Sequence, residues 1–166
     1  MKLAIASNNQ HKLDEIKSIL GGCFDELLSI KDLGIDIDIE ETGTTLIENA
    51  LIKARTIRDM TGMVTLADDT GLMVDALGGE PGVYSARYAG ENTSYDIKNN
   101  LLLSRLEGVP DEQRTARFVC AIAAAFPDGT TEVVRGTIEG IIGHEIVGEN
   151  GFGYDPIFYV PEYGCT

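Results

Sequence analysis

The sequence predicts an α/β fold in two lobes around a central cleft, and three observations carry that prediction. The chain opens on a short apolar run, Lys2–Ala6, that passes through a polar Ser-Asn-Asn into a segment with helical apolar spacing. Its first half then alternates short apolar runs with amphipathic stretches, the sequence form of βα units. Its second half is dominated by a long apolar run, Ala116–Phe126, with a turn and a returning run, the form of a hairpin.

The elements follow in order. Lys2–Ala6 reads as a buried strand. Leu13, Ile16, Ile19 and Leu20 then share one helical face, and Gly21-Gly22 stop that helix. Leu27–Ile30 is a candidate second strand. Ile35-Asp36-Ile37-Asp38-Ile39 alternates strictly, which predicts a half-buried strand with its carboxylates in water. Glu41 falls in the phase of the isoleucines, and a carboxylate on a covered face needs a partner. Thr45-x-x-Glu48 has the form of a capping box opening a helix to about Met60, with Leu46, Ile47, Ala50, Leu51, Ala54 and Ile57 as its stripe. Asn49 and Lys53, four apart, share a flank beside that stripe. Val64–Ala67 is a further strand, followed by Asp68-Asp69-Thr70-Gly71-Leu72 and a Gly- and Pro-rich stretch from Gly78 to Gly90. Ser94–Leu106 is the third helix. After the hairpin formed by Ala116–Phe126 and Thr131–Ile138, the loop Gly151-Phe152-Gly153-Tyr154-Asp155-Pro156 leads into a last strand, Ile157–Val160.

Composition narrows the function. The 166 residues suit a single domain spanning 1–166, large enough to fold without metal or disulfide staples. A formal net charge of −14 leaves no broad field for holding nucleic acid or an anionic membrane. An anionic small substrate would need a local cation: a metal, a lysine or a helix N-terminus. Cys23, Cys120 and Cys165 contain no Cys-x-x-Cys pair, and His11 and His144 are far apart, so neither a zinc site nor a disulfide framework is expected. Reduced thiols, no signal-peptide pattern and no apolar run of membrane-spanning length predict a cytoplasmic protein with no membrane partner.

Three constellations could carry chemistry. Ser7-Asn8-Asn9-Gln10-His11-Lys12 sits where a strand turns into a helix, and amides at a helix N-terminus with a lysine beside them form a phosphate cradle. Its bland alternative is an N-cap with a surface lysine. Asp68-Asp69 follows a buried strand directly, where α/β sheets place their sites. Adjacent carboxylates repel, so they either stay in water or are retained for a task; the bland alternative is a capped turn. Magnesium takes one or two carboxylates plus substrate phosphates, which Asp69 and Glu41 would supply. In the Gly-rich loop near the C-terminus, a purine could stack on Phe152 while Asp155 accepts a hydrogen bond from its ring N–H. Aromatics closing a strand are also common core residues. Arg87 is expected to brace the Asp68-Asp69 pair.

Taken together, these residues resemble the inosine triphosphate pyrophosphatase family, the non-canonical purine NTP pyrophosphatases. The resemblance rests on Ser7-Asn8-Asn9-x-His11-Lys12-x-x-Glu15, Glu41-Thr42-Gly43, Glu48-Asn49-Ala50 with Lys53-Ala54, and Ala67 to Leu72. It continues through Pro81 to Gly90, Ala116-Arg117-Phe118 and Gly151 to Phe158, in the family's order. It implies hydrolysis of ITP, dITP and XTP to the monophosphate and pyrophosphate with Mg²⁺. It implies that Ser7, Asn8, Asn9, Gln10, His11 and Lys12 hold the triphosphate and that Glu41 and Asp69 bind Mg²⁺. Asp69 is then the acid–base residue, Thr70 touches substrate, and Phe152, Gly153, Tyr154 and Asp155 surround the base. The family fold is an elongated mixed twisted sheet with helices and two lobes, commonly a homodimer.

The chain departs from the family at its end. Members continue from the Gly-Phe-Gly-Tyr-Asp-Pro-Ile-Phe segment through a lysine-bearing stretch and a Ser-His-Arg triplet that help read the base, whereas this chain stops at Tyr163-Gly164-Cys165-Thr166. The expectation is a complete phosphate and metal half with part of the base-reading half missing, and hence weak or no hydrolysis, with a blunted preference for ITP over ATP in any activity that remains. The competing readings are a truncated nucleotide-binding relative with little turnover and a Maf-like pyrophosphatase. The Ser-Asn-Asn-x-His-Lys and Gly-Phe-Gly-Tyr-Asp-Pro segments speak against the latter.

Overall fold

A computed structural model describes all residues, 1–166. Six strands form one sheet in the order β2-β1-β3-β4-β5-β6. They are β1 (Lys2–Ile5), β2 (Glu26–Ser29), β3 (Thr65–Val74), β4 (Thr115–Ala125), β5 (Thr131–Ile142) and β6 (Phe158–Tyr159). The helices are α1 (Gln10–Leu20), α2 (Leu46–Thr61) and α3 (Tyr95–Arg105). The sheet is mixed: β1 runs parallel to both β2 and β3, and β5 runs antiparallel to β6. The α/β class predicted from the sequence is the observed one.

The chain divides into two compact units, Met1–Asp69 with Cys120–Arg135, and Thr70–Val119 with Gly136–Thr166. In the first, the parallel strands are covered by the apolar stripe of α2, where Ala50, Ala54 and Ile57 have no exposed surface. The capping box predicted at Thr45 and Glu48 is complete, and Gly62 ends the helix in the left-handed conformation (φ 67°) that suits glycine. In the second unit, Leu72, Val74, Leu102, Leu106, Ala116, Ile142, Tyr154, Ile157 and Phe158 form one apolar cluster. Arg114 is buried there without a carboxylate; its guanidinium donates to the carbonyls of Ile142, Leu106 and Gly143, so its donors are spent on backbone.

Two predicted elements differ. Ile35–Ile39 alternates in burial as its pattern implies, with the isoleucines half-buried and the aspartates exposed, but it pairs with no strand. Alternation reports which side of an extended segment is covered; it does not supply a neighbouring edge to bond. Asp68 and Asp69 were expected just after a strand, yet β3 continues through them to Val74. The register explains why they are still available. Ile5, the last residue of β1, pairs with Leu66, so Asp68 and Asp69 lie beyond the end of β1, level with the turn that opens α1.

Candidate active site

The turn from β1 into α1 is closed by its own side chains. Ser7 Oγ accepts from the Asn9 amide at 3.1 Å. Asn9 Oδ1 in turn accepts from the amides of His11 and Lys12 at 3.0 and 3.4 Å. Asn9 is therefore the N-cap, and two of the amides offered to a phosphate are held by it. Asn8, Gln10 and His11 are exposed around this cap, and Gln10 Nε2 donates to Asp14. Lys12 is no surface lysine. Its Nζ lies 2.5 Å from Asp68 Oδ2, with the two side chains 22% and 9% exposed. Burial would lower the Lys12 ammonium, but the charge and hydrogen bond of Asp68 outweigh it and hold its pKa above the ordinary value.

Successive strand residues point to opposite faces, so the adjacent aspartates do not confront one another as their sequence suggests. Asp68 meets Lys12 of α1, whereas Asp69 meets Lys53 of α2 at 3.8 Å. Lys53 also reaches Glu41, at 2.7 Å, so one ammonium joins two carboxylates that are 28 residues apart in the chain. Burial raises the pKa of Asp69; Lys53 pulls it down, Glu41 pushes it up again, and the balance lies above the usual carboxylate range. Asp69 Oδ2 is buried with no hydrogen-bond partner.

Thus Lys12, Glu41, Lys53, Asp68 and Asp69 come together in the first unit. The structure places Arg87 over the Tyr84 ring, 5.4 Å from its centroid, while Asp68 and Asp69 form ion pairs with Lys12 and Lys53. Lys53 and Asn49 are the residues beside this cluster to which sequence reasoning gave no role. Their signal was present: two polar residues four apart on the flank of an otherwise apolar stripe.

The predicted base-binding loop lies in the second unit and is braced from within. Asp155 Oδ2 accepts from the Phe152 amide at 3.0 Å, and a Cβ on Gly151 would lie 2.6 Å from Asp155, so the loop closes only around glycine. Gly153, at φ 63°, is held through its carbonyl by Asn99 Nδ2. Tyr154 is buried in the apolar cluster, with its hydroxyl donating to the Ser85 carbonyl at 2.7 Å and its ring edge-on to Tyr95. That phenol is committed to packing. Phe152 and Asp155 are half-buried, and burial raises the Asp155 pKa against the opposing Phe152 N–H. Asp155 also lines a pocket of about 280 Å³ with Phe118, Ile138, Phe158 and Val160, a lining that does not include Phe152. Thr70 follows Asp69 in β3 and is half-buried.

The chain is similar to known proteins over its whole length. A dITP/XTP pyrophosphatase of Desulforamulus reducens is 50% identical over 166 residues, all of this chain and 83% of that protein. A dITP/XTP pyrophosphatase of Listeria monocytogenes is 48% identical over 99% of this chain and 81% of its own length. Among solved structures, the Staphylococcus aureus Ham1 protein matches all of the chain and 84% of its own, with a TM-score of 0.87 at 46% identity. The nucleoside-triphosphatase / dITP/XTP pyrophosphatase of Mycobacterium abscessus does so with a TM-score of 0.80 at 42% identity, over all of this chain and 87% of that one. The profile of the Ham1 family matches residues 3–166, and with sequence, fold and full-length similarity in agreement, the chain belongs to the Ham1 family.

Proposed function

We propose that this chain hydrolyses non-canonical purine nucleoside triphosphates (dITP, ITP and XTP) to the monophosphate and pyrophosphate, and so clears them from the nucleotide pool. It is a nucleoside triphosphate pyrophosphatase, a hydrolase of acid anhydrides, like the relatives named above. The observation that carries this reading is the cluster in which Lys12 and Lys53 meet Asp68, Asp69 and Glu41 beyond the end of β1.

The residues fit a magnesium ion. Asp69 Oδ2 is a buried carboxylate oxygen without a donor, and Glu41 and Asp69 already converge on one cation, the Lys53 ammonium. Magnesium takes one or two carboxylates and completes its shell with water and phosphate oxygens. Glu41 and Asp69 would hold it, and when bound it would neutralise charge on the phosphate oxygens.

The chain's own groups supply the rest. Lys12, shared with or released from Asp68, meets the phosphates beside the α1 N-terminus, where Ser7 to His11 contribute short polar groups. Water attacks the α-phosphorus, the bond to the bridging oxygen breaks, and pyrophosphate leaves. Asp69 takes the water's proton. Phe152 stacks on the purine, and Asp155 accepts from the ring N1–H that hypoxanthine and xanthine carry and adenine lacks. Thr70, Gly153 and the backbone of Tyr154 complete the surroundings. The working form we propose is one domain in a cytoplasmic homodimer, the dimer being testable by light scattering.

The test is product analysis with dITP, XTP and ATP in the presence of Mg²⁺. Monophosphate and pyrophosphate in equal amounts, formed faster from dITP and XTP than from ATP, is the expected result. Diphosphate and inorganic phosphate would refute the reaction. Tight nucleotide binding without turnover would support the binding-only relative instead.

A further inference from the structure

Asn49 has no exposed surface, although it sits on the flank of α2 one residue after the capping-box glutamate. Its Oδ1 accepts from the Gly43 amide at 2.8 Å. The approach is so close that a Cβ on Gly43 would lie 2.5 Å from that oxygen, and only glycine leaves the room. Gly43 is two residues from Glu41, so the Asn49 amide fixes the end of the segment that carries this carboxylate. Its other end is spare. Asn49 Nδ2 has no hydrogen-bond partner, and neither has Asp69 Oδ2. The side chain lies near Asp69, so two buried, complementary and unsatisfied groups stand beside one another. One turn further along the same helix, Lys53 reaches both Glu41 and Asp69.

We propose that Asn49 is a positioning residue, its oxygen anchoring the Glu41 segment through Gly43 and its amide nitrogen closing on Asp69 in the working enzyme, so that the two carboxylates keep a fixed separation. The inference rests on the reading of Glu41 and Asp69 as the working pair. An unsatisfied donor beside an unsatisfied acceptor is costly in a finished core, and is understandable where the acceptor shifts when cation and substrate bind. The capping box adds to the clamp from outside: Glu48 accepts from the Thr44 and Thr45 amides, so the approach to α2 is tied at Gly43, Thr44 and Thr45 in succession.

The experiment compares the parent chain with Asn49→Leu, which keeps the volume and removes both polar ends, and with Gly43→Ala, which leaves the amide intact but pushes it aside. Three quantities are read: the ¹³C carboxyl shifts of Glu41 and Asp69, Mn²⁺ affinity without nucleotide, and kcat and KM for dITP. Both variants should move both carboxyl shifts, weaken Mn²⁺ and lower kcat by about 10–100-fold, with KM for dITP little changed. If Asn49→Leu does not fold, Gly43→Ala alone decides by the same readings. A lower melting temperature with carboxyl shifts, Mn²⁺ affinity and kcat at parental values would reduce Asn49 to a packing residue and overturn the proposal. A parent chain that turns over no dITP would instead overturn the functional reading, while the carboxyl shifts would still decide whether Asn49 couples the pair.

Discussion

The charged cluster of the first unit and the Gly-rich loop of the second are built on opposite principles. Around Lys12, Lys53, Glu41, Asp68 and Asp69, charged groups are drawn out of water and set against one another, leaving Asp69 Oδ2 and Asn49 Nδ2 without partners. In the loop from Gly151 to Asp155, the key polar groups are spent inside the loop and its supports: Asp155 on the Phe152 amide, Tyr154 on Ser85, the Gly153 carbonyl on Asn99. The first region is held by charge balance. The second is held by packing and hydrogen bonds and keeps its shape. Chemistry on a polyphosphate calls for the former, and discrimination between similar bases calls for the latter.

The comparison can be broken most forcefully at Asp69. Asp69→Asn removes the proton acceptor and should lower kcat for every accepted nucleotide by about 10²–10⁴-fold, read by pyrophosphate release. Next in size is Lys12→Ala, which should weaken triphosphate binding by about 1.5–3 kcal/mol at low salt, with the loss shrinking as ionic strength rises. Calorimetric titration with a non-hydrolysable triphosphate would check it; unchanged affinity at low salt would mean that Lys12 serves Asp68 alone. In the braced region the effects move from activity to stability. Tyr154→Phe strands the Ser85 carbonyl and should cost about 1–3 kcal/mol in urea denaturation while leaving kcat near parental.

The smallest effect is a pH dependence. Burial raises the pKa of Asp155, and the Phe152 N–H opposes it only in part. Folding therefore favours the protonated acid, so the associated stability is present below the ordinary carboxylate pKa and is lost as pH climbs through the raised one. Asp155→Asn keeps an acceptor for the Phe152 amide without the charge. It should melt higher than the parent at pH 8 and no higher at pH 3, and an equal shift at both would contradict the sign.

Much of this was legible before any coordinates. The caps at Thr45, Ser94 and Gly62 announce their helices because capping is a local rule written in adjacent residues. The alternation of Ile35 to Ile39 reports its covered side correctly and its pairing wrongly, since pairing depends on which edges distant strands leave free. The candidate site shows the same division. Lys12, Glu41, Asp68 and Asp69 could be singled out from their positions, but the pairing of Lys12 with Asp68 rather than Asp69 follows from strand alternation within β3, which continues past Ala67, where the sequence pattern ends the strand, to Val74. Lys53 and Asn49 were visible as polar residues on a helix flank; what they face is set by the packing of α2, a long-range property. Tyr154 is the converse case, a residue in a functional-looking motif whose hydroxyl is consumed by the core.

The division of labour between the two regions is tested most directly by kcat/KM for dITP, XTP and ATP, measured with Mg²⁺ for the parent, Asp69→Asn and Asp155→Asn. Asp69→Asn should lower all three values by a common factor, because the charged cluster acts on phosphates that every substrate shares. Asp155→Asn should leave the ATP value near parental and reduce those for dITP and XTP, narrowing their ratio to ATP. A selective loss from Asp69→Asn, or a uniform one from Asp155→Asn, would show that chemistry and base reading are not divided between these two regions.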